Sequence, residues 1–115
     1  MKKRIKIPIY EGYILVTVND TIQEGYKEIN VVSERDNLYR VHAMTIIFGG
    51  RQFAMILTPK TTVGEIAHEC LHCTNRILMD IGYDVDPDND EAQTYLHGWM
   101  VDEVYNVWNK EVNKS

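Results

Sequence analysis

The chain changes its hydrophobic period near its middle. Up to Leu57 the apolar residues alternate or gather in short β-branched stretches, whereas beyond Thr62 they recur at helical spacing. Arg4 to Ile9 and Tyr13 to Val18 read as strands, with Glu11-Gly12 as the turn between them. A shorter strand is expected over Glu28 to Val32. A longer one runs from Tyr39 to Phe48, and the pattern restarts at Gln52 to Leu57 after Gly49-Gly50. Paired glycines between apolar runs mark a hairpin, because both turn positions can take positive φ.

Thr58-Pro59-Lys60-Thr61-Thr62 ends the strand region. Thr62 followed three residues later by Glu65 is a capping-box pattern, in which two side chains satisfy free amides at a helix start. Ile66, Leu71, Ile77 and Leu78 carry that helix to about Asp80, and Gly82 supplies its stop. An acidic loop containing Pro87 follows. Leu96, Trp99, Met100 and Val104 then predict a second helix from about Asp90 to Lys110. Strands first and helices afterwards predict an α+β fold in one domain, with strands over 1–58, helices over 62–81 and 90–110, and a mostly antiparallel sheet.

Composition narrows the class. A length of 115 residues suits one core, and shares of 44% hydrophobic and 25% charged residues are those of an ordinary globule rather than a disordered chain. The net charge of -5 argues against a dedicated nucleic-acid binder, which needs clustered basic surface to displace counterions. Lys2-Lys3-Arg4 precedes Ile5-Lys6-Ile7-Pro8-Ile9, too short and polar for a signal peptide, and no segment is apolar enough to span a membrane. A cytoplasmic protein without nucleic-acid or membrane partners is expected. Cys70 and Cys73 cannot staple a fold of this size and should stay as free thiols.

The chemistry lies in His68-Glu69-Cys70-Leu71-His72, a complete H-E-x-x-H within the first helix. Residues four apart project from one face, so the two imidazoles can reach one ion. In such sites the glutamate, here Glu69, holds the attacking water as general base while the ion lowers that water's pKa. Two histidines hold zinc poorly, so a third ligand should follow nearby. Glu91, nineteen residues after His72 at the start of the next helix, is the best candidate. Two histidines and one glutamate leave a position for water, as in catalytic zinc sites.

This pattern resembles the gluzincin branch of the zincin metallopeptidases, in which a glutamate-bearing helix follows the active-site helix. The stretch Ile66 to Trp99, with its Ala-His-Glu-Cys-Leu-His opening and its Asn-Asp-Glu-Ala entry to the second helix, is also similar to small metallopeptidase-like proteins of phages and prophages. The resemblance implies a minimal zincin-like domain, one zinc per chain and a peptide or protein substrate, in the host cytoplasm if the chain is phage-encoded. Tyr95 stands where thermolysin-like members carry an aspartate, so the carboxylate orienting a ligand histidine must come from elsewhere, Asp80 or Asp90 being possible sources.

Other residues admit blander readings. Cys70 and Cys73 lie about 200° and 140° from His68 around the helix, so neither faces the same ion, and burial is the expected role. A cytidine-deaminase site is excluded because no proline precedes a cysteine pair. Asp84, Asp86, Asp88 and Asp90 alternate as in a calcium loop, but an EF-hand requires glycine at Asn89 and glutamate at Tyr95. Tyr95, one turn after Glu91, could donate to an oxyanion or could simply be core. His42 could reach a cleft from its strand, whereas His97 is rotated away from the Glu91 face.

Phe53, Ala54 and Met55 are expected to hold substrate if Gln52 to Leu57 is an edge strand, with an interior strand as the alternative. The sequence thus predicts a zinc-dependent peptidase acting on an intracellular protein. Its alternative is a zinc-stabilised binding module with little turnover, capturing a host factor.

Overall fold

A computed structural model describes residues 1–32 and 41–114. Four strands, β1 (Lys2–Lys6), β2 (Tyr13–Val18), β3 (Ala43–Gly49) and β4 (Gln52–Leu57), form one sheet in the order β1-β2-β4-β3. The outer pairs β1/β2 and β3/β4 are antiparallel, and the central pair β2/β4 is parallel. Three helices complete the fold: α1 (Ile22–Glu28), α2 (Val63–Asp80) and α3 (Glu91–Val112). The α+β class and the dominance of antiparallel pairing agree with the sequence reading.

The sheet is covered on both faces. Ile14, Val16, Phe53, Met55 and Leu57 point into the main core with Ile66, Cys70, Cys73 and Ile77 of α2 and Met100 and Val104 of α3. On the other face Ile56 packs with Ile22 and Tyr26 of α1, flanked by Met44 and Ile46. This explains β4, whose run Phe53 to Leu57 is apolar without alternation because both faces are buried.

Several boundaries differ from those predicted. β1 ends at Lys6, because Ile9 takes φ 69° and is 89% exposed in the loop beyond Pro8. The expected strand Glu28 to Val32 is instead the end of α1 and the loop after it. Thr21 accepts a hydrogen bond from the Glu24 amide and so caps that helix, while Ile22 and Tyr26 lie one turn apart on its buried side. The same Thr-x-x-Glu signal marks α2, where Thr62 and Glu65 form the full reciprocal box. Of the long strand Tyr39 to Phe48, the first two residues lie outside the described ones, and pairing begins at Ala43.

The β3–β4 hairpin turns at Gly50-Arg51, with Gly49 already paired to Gln52 and Phe48 bulged out of register. Both turn residues have positive φ, 58° and 60°, as a tight hairpin requires. Arg51 bears this strain with compensation: its guanidinium donates to the Glu11 carbonyl, reaches the Tyr10 carbonyl and pairs with Asp80 at the end of α2.

Gly25 sets how closely α1 approaches the sheet. A Cβ there would stand 2.3 Å from Cγ2 of Ile56 and 3.0 Å from Oγ1 of Thr17. Alanine ordinarily favours a helix by about 1 kcal/mol over glycine. Here the overlap should win, because Ile56 is fully buried between the layers and cannot withdraw. Gly25→Ala is therefore expected to lower stability by about 1–3 kcal/mol in denaturant unfolding, and unchanged or raised stability would refute this packing.

Candidate metal centre

The H-E-x-x-H segment divides among the faces of α2 as helical rotation demands. Cys70, Cys73, Ile66 and Ile77 are buried against the sheet. His68 and His72 emerge on the exposed side, and the side chain of His68 is 69% accessible. Glu69 turns toward β3, and only 13% of its side chain is exposed. Its Oε1 accepts a hydrogen bond of 2.8 Å from the hydroxyl of Thr45, and Oε2 stands 3.7 Å from Nε2 of His68.

The two imidazoles meet edge to face, with centroids 4.8 Å apart and ring planes at 85°. Their Nε2 atoms are 3.2 Å apart. Two nitrogens bound to one tetrahedral zinc at about 2.0–2.1 Å stand about 3.3 Å from each other, so this separation fits a shared ion. One donor atom from each of His68, Glu69 and His72 lies within 4.8 Å of the others. The donor chemistry, two imidazoles and a carboxylate, is a set that zinc accepts.

Glu91 does not join this cluster. As the first residue of α3 it is exposed, about 140° around the helix from Leu96, whose side chain marks the core face. The flank of α3 that meets α2 instead carries Gln93, which donates to Asn75, and His97, whose Nε2 is 3.0 Å from the Ala67 carbonyl. Glu91 thus heads the expected helix, but its carboxylate is not among the donor atoms that the structure brings together. Tyr95 is 74% exposed and lines neither of the hollows beside the histidines, so an oxyanion role for it finds no geometric support.

The expected orienting carboxylates are engaged or distant. Asp80 pairs with Arg51, and Asp90 is the N-terminal boundary of α3, its carbonyl accepting from the Thr94 amide. His42, one residue before β3, points Nδ1 at Glu65 over 3.8 Å and its carbonyl receives the Thr61 hydroxyl.

The substrate strand is also corrected. Phe53, Ala54 and Met55 are fully buried, and β4 pairs with β2 on one side and β3 on the other, so it offers no free edge. The strand beside Glu69 is β3, which has no second strand partner among the described residues. Two hollows of about 490 and 340 Å³ share Ala43 and Glu69, forming a trough between α2 and β3 from Gly64 to Ile47. Sequence reasoning missed Thr45. Its signal was a lone hydroxyl in the apolar run Ala43-Met44-Thr45-Ile46-Ile47, where alternation puts it on the same side as Ala43 and Ile47.

The cysteines are set apart from the site. Burial, with the Glu69 charge adding to it, pushes the Cys70 thiol up to about 12, and burial pushes Cys73 higher still. Neither supplies a thiolate near neutral pH. Comparison with protein-family models, with curated sequences and with solved structures gives no match, which leaves the geometry of the site to carry the reading. Among the described residues no helix is long and apolar enough to cross a membrane.

Two outcomes are expected. In the folded protein Cys70 and Cys73 should resist a thiol-labelling reagent at neutral pH and react after denaturation; rapid labelling of the native protein would contradict their burial. Glu91→Ala should change zinc affinity by less than about threefold in a competition titration, whereas His68→Ala and His72→Ala should lose the ion. A collapse of affinity in Glu91→Ala would mean that α3 is recruited to the site after all.

Proposed function

We propose that this chain is a zinc-dependent peptidase whose working parts are α2 and the outer edge of β3. The observation that carries the reading is Glu69, held by Thr45 within reach of two imidazoles whose Nε2 atoms are spaced for one ion. A bound zinc polarises a scissile carbonyl and lowers the pKa of water at the site. The remaining steps belong to the chain's own groups.

Glu69 has one oxygen engaged by the Thr45 hydroxyl and one directed toward the histidines. The free oxygen accepts a proton from the attacking water as its oxygen bonds to the carbonyl carbon. The same carboxyl then delivers that proton to the amine nitrogen as the C–N bond breaks, so water is divided across the peptide bond. Thr45 fixes the carboxylate's direction, which matters because proton transfer needs hydrogen-bond reach. An extended substrate pairs with the backbone of β3 and lays alternate side chains into the trough, holding its carbonyl beside Glu69.

A second reading is favoured by one contact. The 3.7 Å between Glu69 and His68 is close to a ligand–ligand spacing, and on this reading Glu69 is a zinc ligand and the site a structural or capturing one. Glu69→Gln separates the two. For a peptidase, zinc content stays near one per chain while cleavage of a fluorogenic peptide pool falls by about 10²–10⁴-fold. If zinc is lost with the carboxylate, Glu69 is a ligand and the binding reading holds; if wild type loaded with zinc cleaves nothing, the peptidase reading fails.

Thr45 supplies a finer check. Thr45→Val should lower kcat about ten- to a hundredfold, the worth of one hydrogen bond to a charged group, with zinc content and KM little changed. Thr45→Ser should restore most of it. Equal activity in all three proteins would remove Thr45 from the mechanism.

A further inference from the structure

The sheet has a second edge, remote from the metal centre in strand order. β1 is the outermost strand on that side, with no further strand partner among the described residues. Its backbone orientation follows from two bonds: Ile7 N–H donates to Gly12 on the β2 side, and Met1 C=O accepts from Val18. Since backbone groups alternate in direction along a strand, those of Lys3 and Ile5 also face β2, and those of Lys2, Arg4 and Lys6 face outward.

That free edge is one wall of a groove of about 440 Å³, and α3 is the other. Its apolar lining includes Ile5, Trp99 and Val107. A strand edge facing a helix across an apolar floor is a recurring receptacle for an extended peptide, since the edge supplies backbone bonds and the floor takes alternate side chains.

Charge identifies the kind of peptide. Lys3, Arg4, Lys6, Lys110 and Lys114 line the groove, five of the 12 lysines and arginines in a chain whose net charge is -5. Glu111 is matched by Lys114 at 3.0 Å, and Glu103 is the other acidic group in the lining. The balance around the groove is therefore positive against an acidic background, which draws in and orients an anionic partner.

We propose that this groove binds an extended, acidic peptide segment of another protein as an added strand on β1. Basic residues on an edge strand also discourage edge-to-edge aggregation, but that role alone needs no apolar groove beside them. The inference is independent of the metal site, which lies along the opposite edge.

The test uses a short dye-labelled peptide of alternating glutamate and valine, with a lysine–valine peptide and an oligothymidylate as competitors. Saturable binding by anisotropy is expected, with amide resonances of Lys2, Arg4 and Lys6 shifting and exchanging more slowly. Lys110→Glu should weaken binding about fivefold, as loss and reversal of one exposed charge contact implies. Arg4→Pro should weaken it at least about fivefold more than Arg4→Ala, because only proline removes an outward N–H. Lys110→Glu keeps the test decisive if the proline variant does not fold. Failure of the acidic peptide to bind, equal binding of the lysine–valine peptide, or resonance shifts confined to β3 would overturn the proposal. Preferred binding of the oligothymidylate would make the groove a nucleic-acid surface instead. Self-association abolished by Lys110→Glu, without peptide binding, would give it to a second copy of the chain.

Discussion

β4 is the constraint on which the site depends. It is paired on both edges and buried on both faces, so its position admits little adjustment. The chain leaves it through Thr58 to Thr62, a connection tied by its own hydroxyls: Thr61 accepts from the Thr58 amide and donates to the His42 carbonyl, and Thr58 accepts from the Lys60 amide. Trp108 of α3 donates to the Thr58 carbonyl from outside. A helix starting at the end of so short and so pinned a segment has one direction open to it. α2 consequently runs back across the sheet beside β3, bringing Glu69 opposite Thr45.

What could be read in advance was whatever depends on neighbours in sequence. The capping box at Thr62 and Glu65, the one-turn spacing of His68 and His72, and the positive φ at Gly49 and Gly50 are local, and each appears as expected. Edge or interior status is not local. The run Gln52 to Leu57 precedes α2 under either arrangement, and only the crossover through α1 that brings β2 alongside β4 decides that its other edge is covered. Its uninterrupted apolar character was the available hint of burial on both faces. α1 was hidden for a different reason: seven residues with a glycine at the centre give little periodicity, and the helix persists because Gly25 lets it pack closely.

Glu91 heads a helix whose rotation is fixed by its core face. Turning that carboxylate to the histidines by rotating α3 would expose Leu96, Met100, Val104 and Val107, all buried in the main core. At about 1.5–3 kcal/mol for each side chain the cost is roughly 6–12 kcal/mol. One ligand's share of a zinc site worth about 10–16 kcal/mol is roughly 3–5 kcal/mol, so the core holds. Any contribution from Glu91 has to come from the first turn alone.

The consequence is a centre assembled from one helix and one strand. α2 assigns a separate task to each of its sides: cysteines and isoleucines anchor it to the sheet, Ala67 meets His97 of α3, Glu69 meets Thr45, and the histidines remain outside. A centre so open gives a ligand little enclosure, as the 69% exposure of the His68 side chain shows. Under the proposed function, affinity for an extended chain has to come from backbone pairing, because a shallow trough offers side chains few enclosing contacts. Sheet edges are where such pairing is open to a domain of this size, and the two proposed binding surfaces lie along β1 and β3, the only strands whose second edge is open among the described residues.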